Sequence, residues 1–559
     1  MKVKFFTLVT ILVIVVLGFI VYINMHQVSI EADADVPADH ISGQPTEAPA
    51  PSVTKAPVQT ADDLYPAFQI INGAKVYGYI NSTGEFAIKP SFDTAGDFHN
   101  GLAVVCMNDQ YLAVDTKGSI LCSNDSPIQD FQNGMAVFSK YSDNYLLYGY
   151  IDSRGKETIQ PQYRLAGNFS KDNTAYVYSG SGKYALIDKN GKILEHYDLD
   201  KNFIPTFIQD GYVIYYKKDS ADYGVINMKG EEIFKPEYCE ITYLGSNLFA
   251  LKKSDDEVFG MTSAIPAALF KGSGEQLTDY ILYDIKGFNN GAASVTDSDS
   301  TYFIGTDGKV LTGLPQLEGR GTAELFGEVI KAEVDGKLTY YRKDQSVIWK
   351  EETDHVLTAG ITAKEIKFKP NKYAYVYYPQ LEGLNDTSVQ TRINTELKSI
   401  FTDSRKELKE KDMLSVSDSF RASLMKNLLV IEKDGYDYPF GAAHGMPIKE
   451  FYYIDTTNGT FYTFKDLFLA DSGYVQKINE FITAEINDQS KKENAMFFPD
   501  TFKGISESPY FMLSENALTI YFTPYEIAAY AAGFPEFKIP FEDIYDYIDF
   551  NGAFWNAFR

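Results

Sequence analysis

Histidine and cysteine, the side chains most often used as metal ligands and nucleophiles, are few here and are not spaced for either role. None of the six histidines belongs to an HExxH or similar pair: His26, His40, His99, His196, His355 and His444. The three cysteines form no CxxC and have no histidine at zinc-ligand spacing: Cys106, Cys122 and Cys239. No GxSxG, SxxK or phosphate-binding loop occurs. The sequence therefore predicts no catalytic, cofactor-binding or metal-binding residues.

Four residues remain as candidate ligand-binding residues. Tyr373, Tyr375 and Tyr377 alternate, so they share one face of a strand. If exposed, they would suit stacking on sugar rings or on a protein partner; otherwise they cover a helix in a core. His444, in the phrase FGAAHGMP, could be a ligand or a base beside Glu450. Alternatively, it is a loop imidazole that bonds the backbone, since one histidine without a partner makes no acid–base site.

Two weaker features leave alternatives open. Cys106 and Cys122 each end an apolar run and could face one another in a disulfide, or they could be small buried hydrophobic residues. The stretch DSDSTYFIGTDG (297–308) superficially resembles a calcium loop, but it lacks the glycine at position six and the terminal glutamate. Weak calcium binding by this acidic stretch stays a hypothesis.

The elements that must position any site are set by a repeated phrase. YGYINSTG begins at residue 77, YGYIDSRG at 148 and YGVINMKG at 223, within a unit of about 37 residues that recurs about eight times. In each phrase a strand enters a tight turn, where Asn or Asp bonds its own backbone and Gly takes a positive φ. A second strand follows the turn. About fourteen residues after the glycine, phrases such as DFHNG and DFQNG place a Phe, another turn and a third strand.

A unit this small cannot bury its own apolar face, so neighbouring units must stack. The sequence predicts an all-β repeat array over 64–352, either a propeller-like ring, which removes exposed edges, or an open β-solenoid. These residues resemble the bacterial WG repeat, which implies a binding surface and no chemistry. The first copy runs from Gly78 through Gly84 and continues with Ile88, Pro90, Phe92, Phe98, Gly101, Leu102 and Ala103.

The repeats fade near residue 352, and 361–550 predicts an α+β sandwich. Apolar residues mark one face of a helix over 388–411 and of a second helix beginning at Tyr474. Asn458-Gly459 predicts a hairpin with a type I′ corner. This segment resembles the extracytoplasmic domain pair of anti-sigma-V-type sensors and of some peptidoglycan deacetylases. The longest shared phrase is YFTPYEIAAYAAG (521–533), and GAAH (441–444) belongs to it as well.

The N-terminal residues predict the compartment. The basic tail 1–4 precedes an uncharged apolar run at 5–23, close to one bilayer core in helical length, which predicts a single-pass signal anchor with the bulk of the chain outside the cell. A cleaved signal peptide is the alternative, although the run is long for one. Residues 24–63, rich in Pro and acidic residues and without aromatics, predict a disordered linker.

The formal charge of −25 argues against nucleic acid as a partner. Together these features predict a membrane-anchored extracellular binding protein without catalysis. Its ligand would be a cell-envelope or extracellular glycan or protein, such as peptidoglycan or the wall-active protein lysozyme. Two alternatives stay open. One is a stress-sensor ectodomain released by cleavage near Ala32–Ala34. The other is a wall-glycan hydrolase, which would need two carboxyl groups about 5–10 Å apart, one with a raised pKa.

Overall fold

A computed structural model describes residues 64–559 except 72–73, 143–144, 201–202, 218–221, 254–263, 492–495 and 499. The described chain divides into two compact units, and the division falls between Glu351 and Glu352. The predicted tail, anchor and linker (1–63) lie outside the described residues. Within the described part of the chain, no helix is both long and apolar enough to cross a membrane.

The first unit consists of antiparallel strands. Its described residues form seven hydrogen-bonded sheets, all of antiparallel pairs. The strands are β1 (Tyr65–Ile71), β2 (Ala74–Ile80), β3 (Phe86–Phe92), β4 (Thr94–Ala95), β5 (Leu102–Met107), β6 (Gln110–Asp115), β7 (Ile120–Asn124), β8 (Met135–Ser142), β9 (Tyr145–Asp152), β10 (Glu157–Tyr163), β11 (Leu165–Ala166), β12 (Thr174–Gly180), β13 (Lys183–Asp188), β14 (Ile193–Asp198), β15 (Ile204–Gln209), β16 (Tyr212–Lys217), β17 (Asp222–Asn227), β18 (Glu232–Tyr243), β19 (Leu248–Lys253), β20 (Ala267–Lys271), β21 (Ala292–Thr296), β22 (Ser300–Gly305), β23 (Leu317–Glu318), β24 (Gly321–Phe326), β25 (Val329–Val334), β26 (Lys337–Arg342) and β27 (Val347–Lys350).

One of these sheets has six strands because β18 is long enough to serve two consecutive repeats. Its first half pairs with β17, as in Val225 with Phe234, and its second half pairs with β19, as in Ile241 with Leu251. The seven sheets therefore hold the eight repeats of the sequence, and the repeat prediction is confirmed as an all-β array.

The turn of the repeated phrase has the geometry that the sequence predicts. The Asn81 side-chain oxygen accepts the backbone N–H groups of Thr83 at 2.9 Å and Glu85 at 3.1 Å. Gly84 takes a φ of +89°, which L side chains rarely adopt. The acid or amide at the same place in four other repeats makes the same two bonds: Asp115, Asp152, Asp188 and Asn227.

The second tyrosine of the phrase joins one repeat to the next. Tyr79 is fully buried, and its hydroxyl donates to the Gly96 carbonyl at 2.9 Å while its ring lies 4.6 Å from Phe98. Two repeats later Tyr150 donates to Gly167 at 2.8 Å and lies 4.8 Å from a phenylalanine, Phe169. In both of these repeats, the second tyrosine of the phrase therefore contacts a phenylalanine of the next repeat.

The last repeat makes the same contact with the first. The buried Tyr340 hydroxyl donates to the Pro66 carbonyl at 2.6 Å, and its ring lies 5.6 Å from Tyr65. Lys331, on β25, pairs with Asp97 of the second repeat at 2.7 Å. Sequence-distant ends of the array are therefore in direct contact.

The second unit, 352–559, is of α+β type. Its strands are β28 (His355–Thr358), β29 (Ile361–Asn371), β30 (Ala374–Glu382), β31 (Leu414–Met425), β32 (Leu428–Pro439), β33 (Met446–Asp455), β34 (Phe461–Tyr462), β35 (Tyr510–Leu513), β36 (Ala517–Tyr521) and β37 (Glu536–Pro540). Its α-helices are α1 (Thr387–Thr402), α2 (Tyr474–Gln489) and α3 (Ala553–Phe558). Short 3₁₀ turns occur at Glu410–Asp412, Phe464–Leu467, Tyr530–Ala532 and Phe541–Tyr547.

Strands β28–β34 form one seven-stranded sheet that buries both faces, as the alternation along β32 shows. Leu429 and Ile431 pack in the core that α1 covers. Leu428 and Val430 point to the opposite face, in the core shared with α2 and the three-stranded sheet β35–β37. The predicted hydrophobic faces of both helices are confirmed.

Two predicted details are wrong. Helix α1 ends at Thr402 and not at residue 411, because Arg405 turns inward to bind the buried Asp418 at 3.0 Å and Asp437 at 2.7 Å. The hairpin at Asn458-Gly459 forms, but only Gly459 has a positive φ, so the corner is not type I′. Instead the Asp455 carboxylate accepts side-chain and backbone hydrogen bonds from the turn.

None of the three cysteines, all of which lie within the described residues, forms a disulfide. Cys106 on β5 pairs across the sheet with Tyr111, and Cys122 on β7 pairs with Ala113. The two lie on strands separated by β6, about 9–10 Å apart at ordinary strand spacing, which is beyond the reach of a disulfide. The alternative prediction, small buried hydrophobic residues, holds only in part, because both side chains are half-buried.

Candidate functional site

Both ring nitrogens of His444 are engaged within the second unit. Nδ1 lies 3.0 Å from the Gly445 carbonyl and therefore carries the proton, while Nε2 lies 2.9 Å from the Tyr525 hydroxyl. The imidazole stacks on Tyr530 at 3.9 Å. GAAH and the long C-terminal phrase, far apart in sequence, thus meet at one point. Their contacts are those of a loop imidazole that ties two segments together.

The surroundings of His444 do not complete an acid–base pair. Glu450 contacts Lys433 at 3.5 Å and accepts the Tyr452 hydroxyl at 2.7 Å. Tyr525 has a φ of +71°, an uncommon conformation for a bulky residue, and the His444 bond holds its exposed ring in place. Any role of His444 in binding a ligand stays a prediction.

The three alternating tyrosines share one face of β30, as predicted. The other face carries Val376 and Tyr378, which pack in the core that α1 covers. Tyr377 is buried at 6% exposure and its ring lies 5.6 Å from Tyr375, while Tyr373 packs against Phe440. The helix-covered face is therefore not theirs, and their binding of sugar or protein stays a prediction.

The repeat unit has a concave surface, which is formed by residues that sequence reasoning did not single out. A cavity of about 1000 Å³, here called the turn cavity, is lined by the start of β1 in the first repeat and by turns and adjoining strand ends of the other seven repeats. Its lining runs through Leu64, Tyr65, Phe98, His99, Asn100, Gln132, Asn133, Asn168, Phe169, Ser170, Lys171, Asp172, Phe207, Gln209, Asp210, Tyr243, Leu244, Gly245, Ser246, Gly287, Asn289, Asn290, Phe326 and Gly327.

Tight turns and amides build this rim. Asn100 and the glycine after it both have positive φ, +54° and +79°, as a two-residue type I′ turn requires. Asn133 donates to the Phe169 carbonyl at 2.8 Å, and Asn289 donates to the Leu325 carbonyl at 3.2 Å. Each of these bonds runs from one repeat to the next, so the rim is held in a fixed shape.

Aromatic rings interrupt the polar rim at the fifth and sixth repeats. Phe207 is 38% exposed, and its ring lies 6.2 Å from that of Tyr243. The Tyr243 hydroxyl donates to Asp210 at 2.8 Å, and burial together with this bond raises the pKa of Tyr243. Tyr243 is therefore neutral and fixed in direction at physiological pH.

Several charged groups in and beside the turn cavity form ion pairs. The Asp130 carboxylate, 3.6 Å away, raises the pKa of His99. Lys331 is held by Asp97, and burial followed by the charge of Asp97 raises the pKa of Glu324. Among the described residues, no cluster of His, Cys, Asp and Glu is placed to hold a metal ion.

In the second unit, two carboxyl groups on neighbouring positions of one strand bear on the hydrolase alternative. Glu432 and Asp434 lie on one face of β32, and Arg421 contacts both, at 2.9 Å and 3.3 Å. Burial, together with the charge of Glu432, raises the pKa of Asp434 to about 6. Arg421 thus links the two carboxyl groups in an ion-pair network.

Comparison with known proteins identifies two parts of the chain. The family described as "WG containing repeat" matches residues 77–111, 148–192 and 223–255. The family described as "Protein of unknown function (DUF3298)" matches residues 465–542. The predicted resemblance to WG repeats is confirmed, and the C-terminal phrase 521–533 falls within the DUF3298 match. No curated protein matches the sequence.

Solved structures resemble separate segments of the chain. A DUF3298 family member from Bacteroides fragilis is 17% identical and covers 35% of this chain and 96% of its own, with a TM-score of 0.26. A DUF3298 family protein from Pseudomonas aeruginosa is 18% identical over 34% of this chain and 92% of its own, with a TM-score of 0.25. BamB from Moraxella catarrhalis is 15% identical over 52% of this chain and 91% of its own, with a TM-score of 0.31.

Proposed function

For this chain of WG repeats followed by a DUF3298 region, we propose a membrane-anchored extracellular binding protein without catalysis. The observation that carries the proposal is the turn cavity, to which every repeat contributes. A concave, rigid surface of this size, lined by amides and aromatic rings, suits ligand recognition. His99 is paired with Asp130 and, beside the cavity, Lys331 with Asp97, an arrangement that favours a role in ligand contact over acid–base chemistry.

The architecture that supports this proposal is a closed, propeller-like ring of eight blades. Tyr340 bonds Pro66 as Tyr79 bonds Gly96, and Tyr65 and Phe326 line the same cavity. A ring gathers equivalent turns around one axis, so that a short motif in each repeat becomes one composite site. An open solenoid would spread those turns along a line.

The ligand in this proposal belongs to the cell envelope. In this proposal the predicted anchor at 5–23 leaves the bulk of the chain outside the membrane, and the predicted linker at 24–63 lets it reach the wall. The resemblance of 361–550 to anti-sigma-V-type sensors and peptidoglycan deacetylases favours peptidoglycan, or a wall-active protein such as lysozyme, as the ligand. Nucleic acid is disfavoured by the charge of −25.

One alternative function has an observation in its favour. Glu432 and Asp434, with the pKa of Asp434 raised to about 6, are the carboxyl pair that a wall-glycan hydrolase would need. Release of soluble sugar from sacculi, lost in Asp434→Asn, would support that alternative over the binding protein.

The proposal is tested by co-sedimentation of the full-length chain in detergent with insoluble peptidoglycan sacculi. Gln132→Trp places a bulky ring in the turn cavity, and Ser142→Trp adds the same ring at the opposite end of the same strand, away from the cavity. We expect the wild-type chain and Ser142→Trp to sediment with sacculi and Gln132→Trp to stay in solution. Equal sedimentation of all three, or of none, would contradict the proposal.

A further inference from the structure

We infer that the fifth and sixth repeats form a subsite for a neutral oligosaccharide, in which a sugar ring stacks on Phe207 and Tyr243. The inference rests on the proposed function and names the class of ligand that the turn cavity takes. It is carried by one part of the lining, where aromatic rings and fixed hydrogen-bond acceptors meet.

The two rings form a supported platform. Phe207 leaves 38% of its surface exposed although it lines a concave surface. Tyr243 lies beside it at 6.2 Å and is backed by Tyr212 at 5.8 Å and Phe249 at 5.1 Å. The exposed Phe207 ring, beside the supported Tyr243 ring, offers an apolar face, which matches the C–H face of a pyranose.

Polar groups beside the platform are held in fixed directions. The Asp210 carboxylate accepts the Tyr243 hydroxyl at 2.8 Å and the Gln209 amide at 3.1 Å. Gln209 is fixed in turn, because its oxygen accepts the backbone N–H of Asn168 at 2.9 Å. Oriented acceptors next to an apolar face suit the hydroxyl edge of the same sugar, and their orientation is set before the ligand arrives.

The charges near the platform and on the whole chain favour a neutral ligand over an anionic one. The lining near the platform carries Lys171 next to Asp172, with Asp210 engaged by its neighbours. Local charges therefore nearly cancel, while the chain as a whole carries −25. A polyanion would be repelled by the chain and would find no cationic patch here, whereas an uncharged sugar meets neither penalty.

Isothermal titration calorimetry of the full-length chain with two soluble probes, N,N′,N″-triacetylchitotriose and maltotriose, tests the inference. We expect one of them to bind, and Phe207→Ala to weaken its affinity about tenfold. Tyr243→Phe, which keeps the ring and loses the bond to Asp210, is expected to weaken it less. Tyr141→Ala removes a ring that is 72% exposed at the far end of the third repeat and is expected to change nothing. Preference between the probes distinguishes an N-acetylated glycan from an unmodified one.

Different experimental results would overturn this inference and the proposed function. Sedimentation with sacculi that depends on an open turn cavity, without binding of either sugar, would overturn the glycan subsite and leave the proposed function standing. Binding of wall-derived peptides in place of sugars would do the same. Sugar binding that is equal in the wild-type chain, Phe207→Ala and Tyr141→Ala would overturn the subsite on Phe207.

Discussion

Single side chains explain why the repeated phrase is so constant. The acid or amide at its turn closes the corner by itself, which the sequence predicts from residue type alone. The role of the second tyrosine is different, since its partner is a carbonyl in the next repeat, as in Tyr150 with Gly167. No local pattern in the sequence connects this tyrosine to a carbonyl in the next repeat.

Tyr150→Phe tests this bond. Tyr150 is 1% exposed, so removing its hydroxyl leaves the Gly167 carbonyl without that donor in a place that water does not reach. We expect a loss of about 1–2 kcal/mol in the free energy of unfolding, measured by urea denaturation. Tyr141→Phe, at an exposed ring, is the control and is expected to change little. An equal change in the free energy of unfolding for both substitutions would show that the Tyr150 hydroxyl does not stabilise the fold.

Asp434 gives the second unit a characteristic pH dependence. Its pKa in the folded chain is about 6, above the ordinary value, so the folded state holds this proton more tightly than the unfolded state. The stability that Asp434 contributes is therefore present at low pH and is lost as the pH rises through 6. Between pH 4 and pH 7 the wild-type chain should lose stability relative to Asp434→Asn, as followed by urea midpoints. Parallel pH profiles of the two chains would mean that Asp434 is not perturbed.

The contacts of a buried ion-pair network determine where helix α1 ends. Apolar periodicity predicts α1 and α2 well, because their buried faces repeat at helical spacing. The same periodicity extends the predicted helix too far, because Leu408 continues the apolar pattern. In the structure, Arg405 lies beyond the end of α1 and binds Asp418 and Asp437. Those partners lie on β31 and β32, and no local pattern in the sequence connects them to Arg405.

Arg405→Met tests this network. Asp418 is fully buried, and without the guanidinium its charge would lose its main counter-ion. We expect a loss of about 3–5 kcal/mol in the free energy of unfolding of the second unit. Lys406→Met removes the neighbouring, exposed cation and its pair with Asp403, with an expected effect below about 1 kcal/mol. A small effect of Arg405→Met would assign the end of α1 to another cause.

The arrangement of the complete repeat unit could be predicted only in outline. Repeat length and turn chemistry predict an all-β array, but ring and solenoid share them. The contact of Tyr340 with Pro66 decides between them in our proposal, and it joins residues from opposite ends of the array. In the same proposal, this contact closes the ring and so gathers the turns that line the turn cavity. Phe207 and Tyr243 escaped sequence reasoning because the phrases around them, TFIQDG (206–211) and TYLGSN (242–247), differ from the DFHNG and DFQNG pattern, although the recurring turn position indicated where to look.

Hydrogen–deuterium exchange of the full-length chain, with and without solubilised peptidoglycan fragments, tests the central claim most directly. If the repeats form one composite recognition surface, the fragments should slow exchange together in the turns at 98–101, 132–134, 168–172, 207–210, 243–246 and 287–290. Protection confined to the second unit, or no protection anywhere, would contradict the claim that the turn cavity is where this protein recognises its ligand.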